Sequence, residues 1–220
     1  MQGTIGFGLA LVLAPVLALL DPSLVPGTVL VTTAVLPALS LWRERGSVDW
    51  GGLRWALVGR LPGTLLGLWV VATLPPRGLA LTVGVVVLGA VALSVARWQP
   101  VPSPRALLAA GFVSGVTGTA TSVGGPPIAL VYQRASGPQV RATLSGFFVV
   151  GVLLSIVGLA ATGALARREV AVAGLLLPFL AAGFLASGPL RRHVDAARTR
   201  PAVLALCAVS ALVLILRNAP

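Results

Sequence analysis

The sequence predicts an all-α polytopic membrane protein of about eight segments, and three observations carry that prediction. Of its 220 residues, 57% are hydrophobic and only 10% charged, far less charge than a soluble domain needs to cover its surface. The apolar stretches are long and do not alternate, which excludes an outer-membrane barrel built from alternating strands of about ten residues. The 16 basic residues are all arginine, and most of them flank the apolar stretches, where they meet lipid headgroups.

A formal charge of +11 would point to nucleic acid in a soluble protein. Here the aromatic residues are too sparse, at 5%, to build a base-stacking surface. The partner read from this pattern is the lipid bilayer, and nucleic acid is excluded.

At roughly 20 apolar residues per span, the segments fall near 4–20, 25–42, 52–73, 78–96, 106–133, 140–162, 170–190 and 201–216. The first begins almost at once, with no basic residue before Thr4, and reads as a membrane segment rather than a removable signal. Asp21-Pro22 and Val25-Pro26-Gly27 separate it from the second. Arg43–Trp50 leads into the third, with Trp50 where an interfacial aromatic belongs. Pro75-Pro76-Arg77 divides the third from the fourth, and the longest polar linker, Arg97–Arg105, falls near the middle of the chain. The last segment carries the single Cys207, so an internal disulfide is excluded. Nothing outside these runs is large enough to be a second domain.

The fifth segment differs from the others. Gly111, Gly115, Gly118, Gly124 and Gly125 punctuate it, and Pro126 and Pro127 follow back to back. Proline has no N–H and disfavours helix in the residue before it. A helix entering from Ala106 is therefore expected to loosen near Val123–Gly125 and restart at the prolines, which suit a first turn. Non-helical backbone at membrane depth persists only where protein buries it or water lines it, so this break is a candidate site. The same glycines also suit close helix packing, and a re-entrant course is open.

The central linker prompts a search for a repeat. Gly3, Gly6 and Pro15 match Gly115, Gly118 and Pro127 at one offset, and Thr162–Leu165 takes the part of Arg45–Val48 at a slightly larger one. The expectation is one membrane domain, 1–220, made of repeat one (1–96), the linker (97–105) and repeat two (106–220), with the first and fifth segments broken. If all eight segments span, the arginines divide equally between the two sides, and the positive-inside rule is silent. Four spans per half would make the repeats parallel; an odd number would make them inverted.

Catalytic chemistry finds no footing. There is no HExxH and no Cys/His cluster, so no metal and no cofactor is expected, and Asp21, Glu44, Asp49, Glu169 and Asp195 fall at or near segment ends. His193 lies in an arginine-rich loop. A proton relay or acidic selectivity ring needs carboxylates inside a span. What lies inside favours an anion: a restarted helix offers N–H groups and partial positive charge, and Thr119, Thr121 and Ser122 add hydroxyls beside Gly124, Gly125 and Pro126. Arg60 falls about 12 Å into the third segment at 1.5 Å per residue; an intramembrane arginine is a functional residue or one that snorkels to the interface. Pro15 is expected to face this site from the other half.

Gly115–Pro127 with the run that follows it, Gly3–Pro15 at the head, and the Arg45–Trp50 loop resemble the sulfite exporter TauE/SafE family of membrane transporters. The resemblance covers nearly the whole chain. It implies passage of small sulfur-containing anions, such as sulfite, sulfonates or sulfoacetate, across the bacterial inner membrane. The first half departs from the family pattern in being poorer in glycine. Two other classes stay open, a duplicated exporter of neutral solutes and a non-transporting scaffold; assembly as a homo-oligomer is also left open.

Overall fold

The computed structural model describes the backbone of residues 9–95, 100–190 and 196–218, and their side chains apart from 184–190 and 196–202. The Gly3–Gly6 motif, Arg97–Gln99 of the linker, and His193 and Asp195 lie outside the described residues. Among the described residues the regular structure is helical throughout, with no strand. The helices are α1 (Leu9–Leu20), α2 (Gly27–Thr33), α3 (Val35–Glu44), α4 (Trp50–Thr73), α5 (Pro76–Val95), α6 (Pro104–Thr121), α7 (Gly125–Val131), α8 (Gly137–Ala161), α9 (Arg167–Leu190) and α10 (Ala196–Asn218). α4, α5 and α8 are each long and apolar enough to cross a membrane, and α1 and Val203–Asn218 are shorter apolar helices.

The helix boundaries have local causes. Asp49 caps α4 by accepting the Gly52 N–H at 3.0 Å, and Ser103 caps α6 by accepting that of Ala106 at 3.2 Å ahead of Pro104. These side chains satisfy donors that a helix start leaves without partners. Asp21 does the same for the short 3-10 turn Pro22–Leu24, accepting from the amide and hydroxyl of Ser23. Those bonds, with Arg168 beside it, hold its carboxyl below the ordinary value of 3.8.

Two breaks differ from expectation. Residues 9–20 form one uninterrupted helix with Pro15 inside it, and the chain leaves the helix only after Leu20. The second segment is the one divided, at Ala34 between α2 and α3. The fifth breaks where expected: α6 ends at Thr121, Ser122 takes a left-handed conformation (φ 65°), and α7 starts at Gly125.

The contacts at helix ends fix the course of the chain. At one end of the bundle Arg141 of α8 pairs with Glu44 of α3 at 3.0 Å, and Tyr132, just past α7, donates to Asp49 at 2.9 Å. At the other end Arg168 pairs with Asp21 at 2.7 Å, the Glu169 carboxylate accepts the Gly27 N–H at 2.7 Å, and Arg77 donates to the Asn218 carbonyl at 2.9 Å. We call the first end side A and the second side B. α6 enters from side A beside the start of α4, and Tyr132 brings the end of α7 back to Asp49 on side A. The fifth segment is therefore a re-entrant hairpin with its tip at Ser122–Val123. Of the two courses the sequence leaves open, spanning and re-entrant, the contacts take the second: apolarity shows that a stretch lies in the membrane, not that it continues after a break.

α4 and α6 lie side by side, closer than ordinary side chains permit. Gly59 and Gly63 of α4 face the carbonyls of Leu108 and Phe112, and a Cβ built on Gly67 would lie 2.9 Å from the Val116 oxygen. Gly111 and Gly115 of α6 face the carbonyls of Ala56 and Arg60 in return. Two glycine stripes at helical spacing thus let backbone meet backbone, as small residues do at membrane helix interfaces. The opposite face of α4, with Val58, Leu61, Leu65 and Trp69, is exposed and faces lipid.

Two larger cores flank this pair. One joins Leu11, Ala14 and Leu17 of α1 to Val83 and Val87 of α5, Ala211 and Leu214 of α10, and Val123 of the hairpin tip. The other joins Leu53 and Ala56 of α4 to Leu107 of α6, Ile128 of α7, and Leu144 and Phe147 of α8, and fills side A.

Candidate functional site

Arg60 sits between these cores, near the middle of α4, and is 1% exposed. Its neighbours on the buried face of α4, Ala56, Gly59, Gly63 and Thr64, follow the 3–4 residue spacing of one helix face, so the fold turns this arginine inward. It does not snorkel. Its guanidinium carbon lies 4.6 Å from the centroid of the Phe147 ring, and Gly151, one turn further along α8, is in contact with its head. Nε and Nη1 have no hydrogen-bond partner, and among the described residues no carboxylate pairs with it.

The break lies against the same group. A Cβ on Gly118 would stand 3.3 Å from Arg60 Nη2 and 3.4 Å from Gly124 Cα, and one on Gly124 would stand 2.7 Å from the Ser114 carbonyl. The glycines of the fifth segment thus divide: Gly111 and Gly115 pack against α4, Gly118 leaves room beside the guanidinium, and Gly124 packs on Gly118 and the Ser114 carbonyl. Of the residues expected from sequence, Arg60 is reached from the break through Gly118, on which Gly124 packs, and Gly125 and Pro126 are buried as the first residues of α7.

The hydroxyls are placed differently from expectation. Thr119 shares a 2.8 Å hydrogen bond with Ser155 of α8. Thr121 donates to the Thr117 carbonyl at 2.7 Å and accepts the Val123 N–H at 3.4 Å. Ser122 donates to the Pro26 carbonyl at 2.9 Å. All three already hold protein partners. Pro15 is buried in α1, whose neighbours α5 and α10 share a core with Val123 of the tip; it reaches the break through that core rather than as a facing wall. The backbone donors are also fewer than a restarted helix ordinarily offers. Pro126 and Pro127 fill two of the first three positions of α7 and have no N–H, which leaves Gly124 and Gly125.

Three residues of this site were missed from sequence. Phe147, Thr64 and Ser114 are buried, and the hydroxyls of Thr64 and Ser114 have no partner. One signal was available for Thr64, four residues after Arg60 and thus on its face of the helix. Nothing local marks the other two.

On side B a cavity of about 420 Å³ opens among Ser23, Val25 and Pro26, Val71 and Ala72 at the end of α4, and Thr162–Glu169. Its wall residue Pro26 is the one that accepts the bond from Ser122. The hairpin tip therefore stands between this cavity and Arg60. Glu169 lines the cavity, with one oxygen on the Gly27 N–H and the other on the Ala166 N–H at 2.8 Å.

The family model described as Sulfite exporter TauE/SafE matches residues 1–214 of the chain. No curated protein matches it, and no solved structure does.

Proposed function

The chain belongs to the sulfite exporter TauE/SafE family of membrane transporters, and from that premise we propose that it carries small anions, sulfur oxyanions among them, past Arg60. The observation that carries this reading is a buried, unpaired guanidinium beside a broken helix. Taking such an ion out of water costs several kcal/mol, and the Phe147 ring returns about 0.5–2 kcal/mol. An anion lodged against Arg60 supplies the rest, and among the described residues no carboxylate pairs with the guanidinium to compete with it.

Depth supports the reading. Trp50 and Trp69, both exposed, stand about 28 Å apart along α4 at 1.5 Å per residue, close to the roughly 30 Å of a hydrocarbon core. Arg60 lies about midway between them. A scaffold needs no charge there, and an exporter of neutral solutes gains nothing from one.

The hairpin also changes the topology. With the fifth segment re-entrant, α4 runs from side A to side B, and α9, also 24 residues long, starts at side B. We read 1–96 and 106–220 as inverted repeats, the arrangement that supports alternating access around a site at the midplane. The arginine tie then breaks. Among the described residues side A holds Arg43, Arg45, Arg105, Arg134 and Arg141, with Arg198 and Arg200 in the start of α10. Side B holds four of the described arginines, Arg77, Arg167, Arg168 and Arg217. By the positive-inside rule side A is cytoplasmic, so the cavity faces outward in a bacterial inner membrane and the Phe147 core closes the inner side.

The experiment is uptake of labelled sulfite, a labelled sulfonate and a neutral control into proteoliposomes by the native protein and by Arg60→Gln. Anion uptake lost with Arg60→Gln, with the variant inserted normally, is the expected result. Equal uptake by both proteins overturns the reading.

A further inference from the structure

We infer that Thr64 and Ser114 are binding residues, whose hydroxyls donate to the anion held by Arg60 and select oxyanions over spherical anions; this rests on the anion-transport reading above. Serine and threonine hydroxyls in apolar helices ordinarily bond back to the carbonyl four residues earlier. In this chain Thr32, Thr33, Thr73, Thr82, Thr117 and Ser155 all do so. Thr64 and Ser114 do not. They are 5% and 0% exposed, and each leaves its hydroxyl oxygen without a partner.

For Thr64 the reason is visible. The carbonyl it would use is that of Arg60, and Gly115 of α6 covers it so closely that a Cβ there would lie 2.6 Å from the oxygen and 2.9 Å from the Thr64 nitrogen. The glycine that permits the helix contact also frees the hydroxyl. Ser114 lies one turn before Gly118, the residue against Arg60 Nη2, and its carbonyl faces Gly124. The buried side-chain polar atoms left without partners among the described residues are therefore Arg60 Nε and Nη1, Thr64 Oγ1 and Ser114 Oγ; Thr64 lies one turn from Arg60 on the buried face of α4, and Ser114 one turn before Gly118 on α6.

A buried hydroxyl left unmade is costly, and several left together point to a shared ligand. The set consists of donors: a guanidinium that cannot accept, and two hydroxyls free to turn their protons toward the same charge. Such a set fits an anion with several oxygens spread in space, each taking one hydrogen bond. A halide also accepts several hydrogen bonds, but all of them must converge on one centre, whereas an oxyanion meets donors spread over its separate oxygens. Arg60 thus supplies the attraction, and the hydroxyls supply the discrimination.

The test is equilibrium binding to the full-length protein in detergent micelles, with sulfite as the probe and chloride as the spherical control, for the native protein, Arg60→Gln, Thr64→Val, Thr64→Ser and Ser114→Ala. The expected result is loss of binding in Arg60→Gln. Thr64→Val and Ser114→Ala should each weaken sulfite by about tenfold or more, as loss of a hydrogen bond to a charged group does, with chloride competition unchanged. Thr64→Ser, which keeps the hydroxyl, should bind as the native protein does. Ser114→Ala removes a single oxygen and carries the test alone should Thr64→Val not insert. Native sulfite affinity in Ser114→Ala and Thr64→Val, together with loss in Arg60→Gln, overturns this inference and leaves the anion reading standing. Undiminished binding in Arg60→Gln, or no binding of sulfite by the native protein, overturns both.

Discussion

The guanidinium of Arg60 lies over the ring of Phe147, 4.6 Å from its centroid, buried and with no carboxylate partner among the described residues. That contact favours the charge by much less than burial disfavours it, so the native fold carries an electrostatic load that only function explains. Arg60→Met, which fills the same space without charge, should raise the thermal stability of the anion-free protein, by about 1–4 kcal/mol if the site behaves like other buried ions replaced by apolar groups. The same variant should lose anion uptake. Unfolding followed in detergent at low anion concentration checks it. A sharp drop in stability would mean that the arginine is structural.

Gly118 and Gly124 separate a local effect from a global one. A Cβ on Gly118 would stand 3.3 Å from the movable end of Arg60, whereas one on Gly124 would stand 2.7 Å from a fixed backbone oxygen. Gly118→Ala should therefore insert and melt almost as the native protein does while uptake falls, because the space beside the guanidinium narrows. Gly124→Val should lose uptake and also cost about 1–3 kcal/mol, the usual range for overpacking. If Gly118→Ala transports at the native rate, the anion does not pass between Gly118 and Arg60.

How much of this could be read from the chain depends on the range of the interaction. Helix positions follow from apolar runs, and the break at Ser122–Gly124 follows from Gly-Gly-Pro-Pro, because both are set by neighbours in sequence. The direction taken after the break is set by Tyr132 reaching Asp49, a contact across 83 positions, and no local rule contains it. Arg60 stood out as a charge in an apolar run. Its surroundings did not, since Phe147 and Ser114 come from other helices. The hydroxyls of Thr119 and Ser122 were legible as donors, but their partners, Ser155 and Pro26, are tertiary contacts that claim them first.

Ser122 is held in the left-handed region at φ 65° by the turn between α6 and α7, and its hydroxyl donates to Pro26 of the other half. The backbone conformation costs a non-glycine residue about 1–2 kcal/mol, and the hydrogen bond returns about 1 kcal/mol. Ser122→Gly exchanges one for the other and should leave the melting midpoint nearly unchanged. Ser122→Ala loses the bond and keeps the strain, and should be about 1 kcal/mol less stable. An alanine variant as stable as the native protein would show that the Pro26 contact contributes nothing to holding the hairpin tip.

The re-entrant hairpin makes the sharpest demand on experiment. Residues 101 and 136 flank the fifth segment, and both are exposed. If α6 and α7 together crossed the membrane, these positions would lie on opposite sides; the return of Tyr132 to Asp49 puts them on the same one. In a Cys207→Ser background, Val101→Cys and Ser136→Cys should react with a membrane-impermeant maleimide in the same way as Ser47→Cys, which sits in the Arg45–Ser47 turn of side A. Arg167→Cys, beside the Arg168–Asp21 pair of side B, should behave oppositely. The arginine distribution further requires that the first three label only after the cells are permeabilised, and that Arg167→Cys labels in intact cells. Reversal of both groups together would invert the orientation and keep the hairpin. Opposite behaviour of Val101→Cys and Ser136→Cys would remove the hairpin, and with it the inverted arrangement of the two halves.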